Sequence, residues 1–208
     1  GLASASEELY NELTKLREKK PVVVTIQGVA ASGAYYMLLG ANHVVSGGAM
    51  IVGSIGALIS PPGPEIPSEF VQSTGPAKLT GGSERTYLEL LEEVKEAFYA
   101  TVKGERGDRL RAPREEIITG QIWLGLDAFQ LGLIDEIGDE TDAIRKAADL
   151  AGLHRFNLIS LEEKMTEEGG RLAQAVATAE EHRPQGDFDF DTSQSRFPYI
   201  HYLYLPPR

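Results

Sequence analysis

The chain has 208 residues, 42% of them hydrophobic and 25% charged, with a net charge of −11 and no cysteine. That length and composition suit one α/β domain with a core, and no apolar run approaches the roughly 20 residues that cross a bilayer as a helix. The acidic balance argues against a nucleic-acid partner, which needs clustered Lys and Arg, and the lack of thiols excludes disulfides and thiolate metal sites.

In chain order, Ser4-Ala5-Ser6-Glu7 has capping-box spacing, and Leu9, Leu13 and Leu16 follow at helical intervals, so residues 4–19 are predicted as an amphipathic helix. Pro21 stops it, and the β-branched run 21–26 reads as a buried strand. Ser32 then falls at a strand-to-helix junction, with a helix over 34–39. Residues 44–46 read as a strand, and 50–59 as a β-rich segment around Gly53-Ser54-Ile55-Gly56. Pro61, Pro62, Gly63, Pro64 and Pro67 open an irregular loop that continues to about Gly82. Leu88, Leu91, Val94, Phe98 and Val102 share one face of a helix over 83–103. A short helix over 113–118, a turn, another short helix and a strand at 133–135 come next. Helix 139–151, strand 156–159 and a helix over 161–181 complete the regular elements. The alternation predicts a layered βα fold with parallel pairing. Residues 183–196 read as a polar linker. The aromatic tail 197–205 is too apolar to stay undocked and is expected to add as a β-strand, pack at an interface or occupy a peptide groove. The organisation predicted is a catalytic domain over 1–160, a C-terminal helix over 161–182, and linker and tail over 183–208. The first residue is Gly, so an upstream anchor and first strands are expected ahead of it.

At a strand-to-helix junction the first-turn N–H groups point outward and can stabilise developing negative charge. Ser32 is therefore a candidate nucleophile as well as a candidate N-cap. A serine hydroxyl needs a base. His43, His154, His182 and His201 have no acidic partner at a triad-like spacing, which leaves a lysine. Lys78 lies in a small-residue loop without an adjacent acid, whereas Lys15, Lys19, Lys20, Lys95 and Lys103 sit on polar helix faces; on its surroundings alone Lys78 reads as a solvated loop lysine or as a candidate base. An ordinary lysine is neutral in only about one molecule in 2,500 at pH 7, so a useful base costs about 4 kcal/mol against its charged form and demands burial.

Four segments in order, Gly28 to Tyr36, Gly53 to Gly56, Lys78 ahead of Gly82-Ser83, and Thr119 through Gly138, resemble the signal peptide peptidase A family. Tyr202-Leu203-Tyr204 is similar to the tail of bacterial members. The likeness covers about residues 1–150, and Ala34 departs from the family's second glycine after the nucleophile. The resemblance implies a ClpP/crotonase-like α/β fold, truncated at its N-terminus near the family's Pro-Gly-Gly turn. It implies a Ser-Lys endopeptidase for extended apolar peptides such as remnant signal peptides. Ser32 would be the nucleophile, Lys78 the base, and Ser54 the residue that orients the lysine. Gly33 and Gly1 would be the oxyanion donors, and Ile55, Ala57 and Leu58 would line subsites or, equally, pack as core. The family implies no cofactor, a homo-oligomer whose neighbouring subunits shape each active site, and a place at the membrane of the cell envelope through an upstream segment. The alternatives are a non-catalytic peptide-binding or assembly subunit of the same fold, and a crotonase-like acyl-CoA enzyme, for which acidic pocket residues are missing.

Overall fold

The computed structural model describes residues 1–60, 72–75, 77–160 and 200–201. It divides into two compact units, residues 1–152 with 196–208, and residues 153–195. In the second unit the described residues, 153–160, carry no helix or strand, so the strand expected at 156–159 is not formed. Four residues without a hydrogen-bonded neighbour strand cannot hold an extended ladder. The helix expected at 161–181, the linker, most of the proline loop and most of the tail lie outside the described residues.

The first unit opens with α1 (Ala3–Arg17), followed by β1 (Val23–Ile26), β2 (Val29–Ala31) and α2 (Gly33–Leu38). The capping box expected at Ser4 is absent: α1 starts one residue earlier, with Leu2 at the cap position and no side-chain cap bond. Ser6 instead donates its hydroxyl proton back to the Leu2 carbonyl at 2.9 Å. Next come β3 (His43–Ser46), β4 (Ile51–Gly53), β5 (Leu58–Ile59), α3 (Ala77–Thr80) and the long α4 (Glu84–Arg106). A 3-10 turn leads to α5 (Arg114–Ile117), β6 (Ile122–Leu124), α6 (Gly125–Gln130), β7 (Glu136–Ile137), α7 (Glu140–Leu150) and β8 (Ile200–His201). The strand expected at 133–135 forms instead at 136–137, starting three residues later, because Leu133 and Ile134 are consumed as buried turn residues while Asp135 binds arginines.

Two three-stranded sheets carry the fold. One has the order β1-β3-β7, all parallel, and the other β2-β4-β6, with β2 parallel and β6 antiparallel to β4. The parallel pairing expected from the βα alternation is present, and the architecture is α/β. A separate ladder pairs β5 antiparallel to β8, Leu58 opposite His201 and Ile59 opposite Ile200. Ile200 and His201, the described residues of the tail, thus form an added strand, one of the three placements expected for it.

Helix α2 lies at the centre of the core. Its Tyr35 and Tyr36 meet Phe98 of α4 at ring-centroid distances of 6.5 and 5.1 Å, and Tyr10 of α1 meets Tyr36 at 5.4 Å. Burying each such ring contributes about 1.5–3 kcal/mol. Tyr35 donates its hydroxyl proton to the Leu133 carbonyl at 2.9 Å, so the buried phenol is satisfied, and burial pushes its pKa up. Arg17 and Tyr10 both bind Glu105, at 2.7 and 2.6 Å, tying α1 to α4. No helix among the described residues is long and apolar enough to cross a membrane.

Candidate active site

Ala31 of β2 stands opposite Gly53 of β4 in parallel register, so the next residues, Ser32 and Ser54, leave the carboxyl ends of neighbouring strands together. Parallel neighbours run about 4.8 Å apart, and in open α/β sheets that end is where ligands bind. Both serines have positive φ, 58° and 55°, and they are the two non-glycine residues with this property among the described residues. Such a backbone costs of order 1–3 kcal/mol each and persists only when its surroundings over-determine it.

The surroundings are visible in the hydrogen bonds. Ser32 donates its N–H to the Gly53 carbonyl at 2.7 Å, and its own carbonyl accepts from Tyr36 N–H at 2.9 Å, the first bond of α2. Ser54 donates its N–H to the Gln121 carbonyl at 2.7 Å, and Gly120 N–H reaches the Ile55 carbonyl at 3.2 Å. The segment ahead of β6 therefore clasps the Ser54 turn from both sides. Sequence reasoning identified the two serines and missed this clasp. Its signal was the glycine at 53, where only a residue without Cβ fits against Trp123.

Ser32 occupies the N-cap position of α2, yet its hydroxyl makes no cap bond. The residue is 1% exposed and its Oγ has no hydrogen-bond partner among the described residues. A buried hydroxyl left unsatisfied costs about 1–3 kcal/mol, and such exceptions call for an explanation. The ordinary cap role is thereby removed. Gly33, buried at the first position of α2, has no acceptor for its N–H among the described hydrogen bonds.

The other candidates are placed less closely. Lys78 lies on α3, exposed; its backbone N–H donates to the Gly75 carbonyl at 3.1 Å. Among the described residues its ammonium makes no ion pair or hydrogen bond, whether to a carboxylate or to Ser32 or Ser54. Gly1, exposed ahead of α1, does not bond Ser32 Oγ. Ile55 is fully buried in the core, while Ala57 and Leu58 are half-buried beside and within β5. His43 does find an acidic neighbour, Glu136 at 2.9 Å across β3 and β7, but neither reaches Ser32 Oγ.

Comparison with known proteins follows the same segments. The family model of peptidase family S49 matches residues 14–62 and 77–154. Protease 4 of Salmonella typhi is 32% identical over 171 residues, covering 76% of this chain and 28% of the relative. The chloroplastic serine protease SPPA of Arabidopsis thaliana is 31% identical over 179 residues, covering 78% of this chain and 26% of the relative. The chain therefore spans about a quarter of the length of these two relatives, and it spans 60% of a similar protein from Synechocystis sp.. Among solved structures, the 1510-N membrane-bound stomatin-specific protease superposes with a TM-score of 0.46 at 18% identity, covering 70% of this chain and 63% of that one.

Proposed function

The chain belongs to peptidase family S49, and on that premise we propose that it is a serine endopeptidase with Ser32 as nucleophile and Lys78 as general base. The observation that carries this reading is Ser32 itself: a buried, unpartnered hydroxyl on a positive-φ junction at the first turn of a helix. A nucleophile on such a turn is presented clear of its own backbone. Ser32 Oγ attacks the scissile carbonyl carbon, and its proton passes to neutral Lys78 Nζ. The tetrahedral oxyanion takes hydrogen bonds from Gly33 N–H and, as the second donor, Gly1 N–H, each worth about 3 kcal/mol. Collapse expels the amine, which takes the proton back from Lys78. Water, deprotonated by the same lysine, then hydrolyses the acyl ester and frees Ser32. Ser54 orients the lysine. Ser32 N–H is already engaged by Gly53, so the oxyanion donors must come from the residues that follow or face it.

Lys78 is exposed in the single chain, whereas a neutral base requires desolvation. We assign that desolvation to a neighbouring copy in a homo-oligomer, whose surface closes over the α3 segment. Extended apolar peptides, of the kind left from signal sequences, are the proposed substrates, with Ala57 and Leu58 along the subsites and the membrane reached through a segment outside this chain; Ile55, fully buried in the core, packs rather than lines a subsite.

A fluorophosphonate probe tests the assignment. It is expected to label the wild-type protein at one site, with Ser32→Ala unlabelled and Lys78→Ala labelled at least about 100-fold more slowly, in keeping with loss of a general base. Labelling retained in Ser32→Ala, or peptide cleavage at the wild-type rate by Lys78→Ala, overturns it.

A further inference from the structure

We propose that Trp123 is the positioning residue of the site, acting through Gly53 on both serines at once; this rests on the reading of Ser32 as nucleophile and Ser54 as the lysine's guide. The link is a single peptide plane. The Gly53 carbonyl accepts the Ser32 N–H at 2.7 Å, and the Ser54 N–H of that same peptide unit donates to the Gln121 carbonyl at 2.7 Å. Because the peptide group is rigid, rotating it moves both ends together: Ser32 loses its backbone anchor as Ser54 turns.

What fixes that rotation is the indole. A Cβ on Gly53 would lie 2.5 Å from Trp123 Cε3, 2.7 Å from Cζ3 and 2.9 Å from the Gln121 carbonyl oxygen. The six-membered edge of the ring therefore rests against the Gly53 backbone, which adopts φ 113°. Trp123 is 8% exposed and paired across the antiparallel ladder with Val52, so the ring is itself held by the core. Its contact is with the backbone between the serines rather than with any reacting atom, which makes its role positional. The strained φ of Ser32 and Ser54 demands over-determination, and the ring adds a steric stop to the two hydrogen bonds that hold the plane at its opposite edges.

The test uses the full-length protein carrying Trp123→Leu or Trp123→Phe, with Ser32→Ala as the control for the site. Amide hydrogen exchange is followed at Ser32 and Ser54, alongside kcat and KM on a peptide substrate. Trp123→Leu is expected to speed exchange at these two amides at least tenfold relative to the rest of β2 and β4. It is expected to lower kcat by about 10- to 100-fold with KM within twofold, the scale set by small misplacements of a reacting group. Trp123→Phe, which keeps a six-membered ring against Gly53, restores most of both. Unchanged exchange at the two amides overturns the inference, as does faster exchange spread evenly over the domain with activity falling only as the unfolded fraction. If Trp123→Leu does not fold, Trp123→Met, which also removes the ring from Gly53, takes its place: faster exchange confined to the two amides supports the proposal and wild-type exchange overturns it. Absence of probe labelling at wild-type Ser32 overturns the catalytic reading instead, and the exchange measurement still judges Trp123.

Discussion

Ser32 concentrates two costs in one residue, a positive φ and a buried hydroxyl without a partner. A glycine there relieves the first and removes the second. Ser32→Gly is accordingly expected to be inactive yet about 1 kcal/mol more stable than Ser32→Ala in urea unfolding. Equal stability of the two variants would mean that the backbone is not strained. Lys78 contrasts with it, being exposed and unpaired among the described residues. Lys78→Ala should leave the melting temperature of the isolated chain within about 1 °C of wild type while abolishing cleavage. A large loss of stability would show that the lysine is part of the scaffold. Both residues were singled out in the sequence by small residues around Ser32, by the lack of an acid beside Lys78 and, decisively, by the family resemblance; their catalytic roles are the proposal these variants test. Their exposure was not legible, since burial depends on what other segments pack there.

Among the elements, the junction of α4 with the α6–β7 turn rests on Asp135. Its carboxylate accepts from Arg106 at 2.8 and 2.9 Å, from Arg109 at 2.7 Å and from Val44 N–H at 2.9 Å, with Arg106 and Asp135 both almost fully buried. Burial pushes the Asp135 pKa up, but the Arg106 hydrogen bond and charge, with the Val44 N–H and Arg109, outweigh it and hold the carboxyl below its usual range. Glu105 is held down likewise, where its bonds to Arg17 and Tyr10 outweigh burial. A depressed carboxylate contributes stability above its unfolded pKa and loses it as pH falls through the folded value. Unfolding free energy is thus expected to drop below about pH 4, with a smaller drop in Asp135→Asn. An equal acid slope in the two proteins would remove Asp135 from that role. Asp135→Ala strands a buried guanidinium and should cost about 3–5 kcal/mol. The sequence showed Leu133-Ile134-Asp135 as apolar and strand-like; it gave no sign that Asp135 would be drawn off the ladder by arginines 26 and 29 residues away.

For the whole molecule, the ladder of β5 with β8 joins Leu58 and Ile59, a few residues past Ser54, to Ile200 and His201. Removing residues 196–208 uncovers the β5 edge, and unpaired edges seek partners. The deletion is expected to change peptidase rate or oligomeric state, read by activity together with light scattering, and a protein unaltered in both would show the strand to be passive. The helices of residues 1–152 apart from α3, the strands at 21–26 and 44–46, the serine junction and the glycine-bounded Ser54 turn were legible in the sequence, because each depends on neighbours within one turn or one strand; the strands expected at 133–135 and 156–159 did not form there. The tertiary structure alone decided the rest. It brought Ser32 and Ser54 side by side through the parallel register of β2 and β4, turned the Gly53 carbonyl onto the Ser32 N–H, and set Trp123 against Gly53. Those pairings join residues some 20 to 70 positions apart, and no local propensity encodes them; they arise when buried backbone groups must find partners and the core must fill without voids.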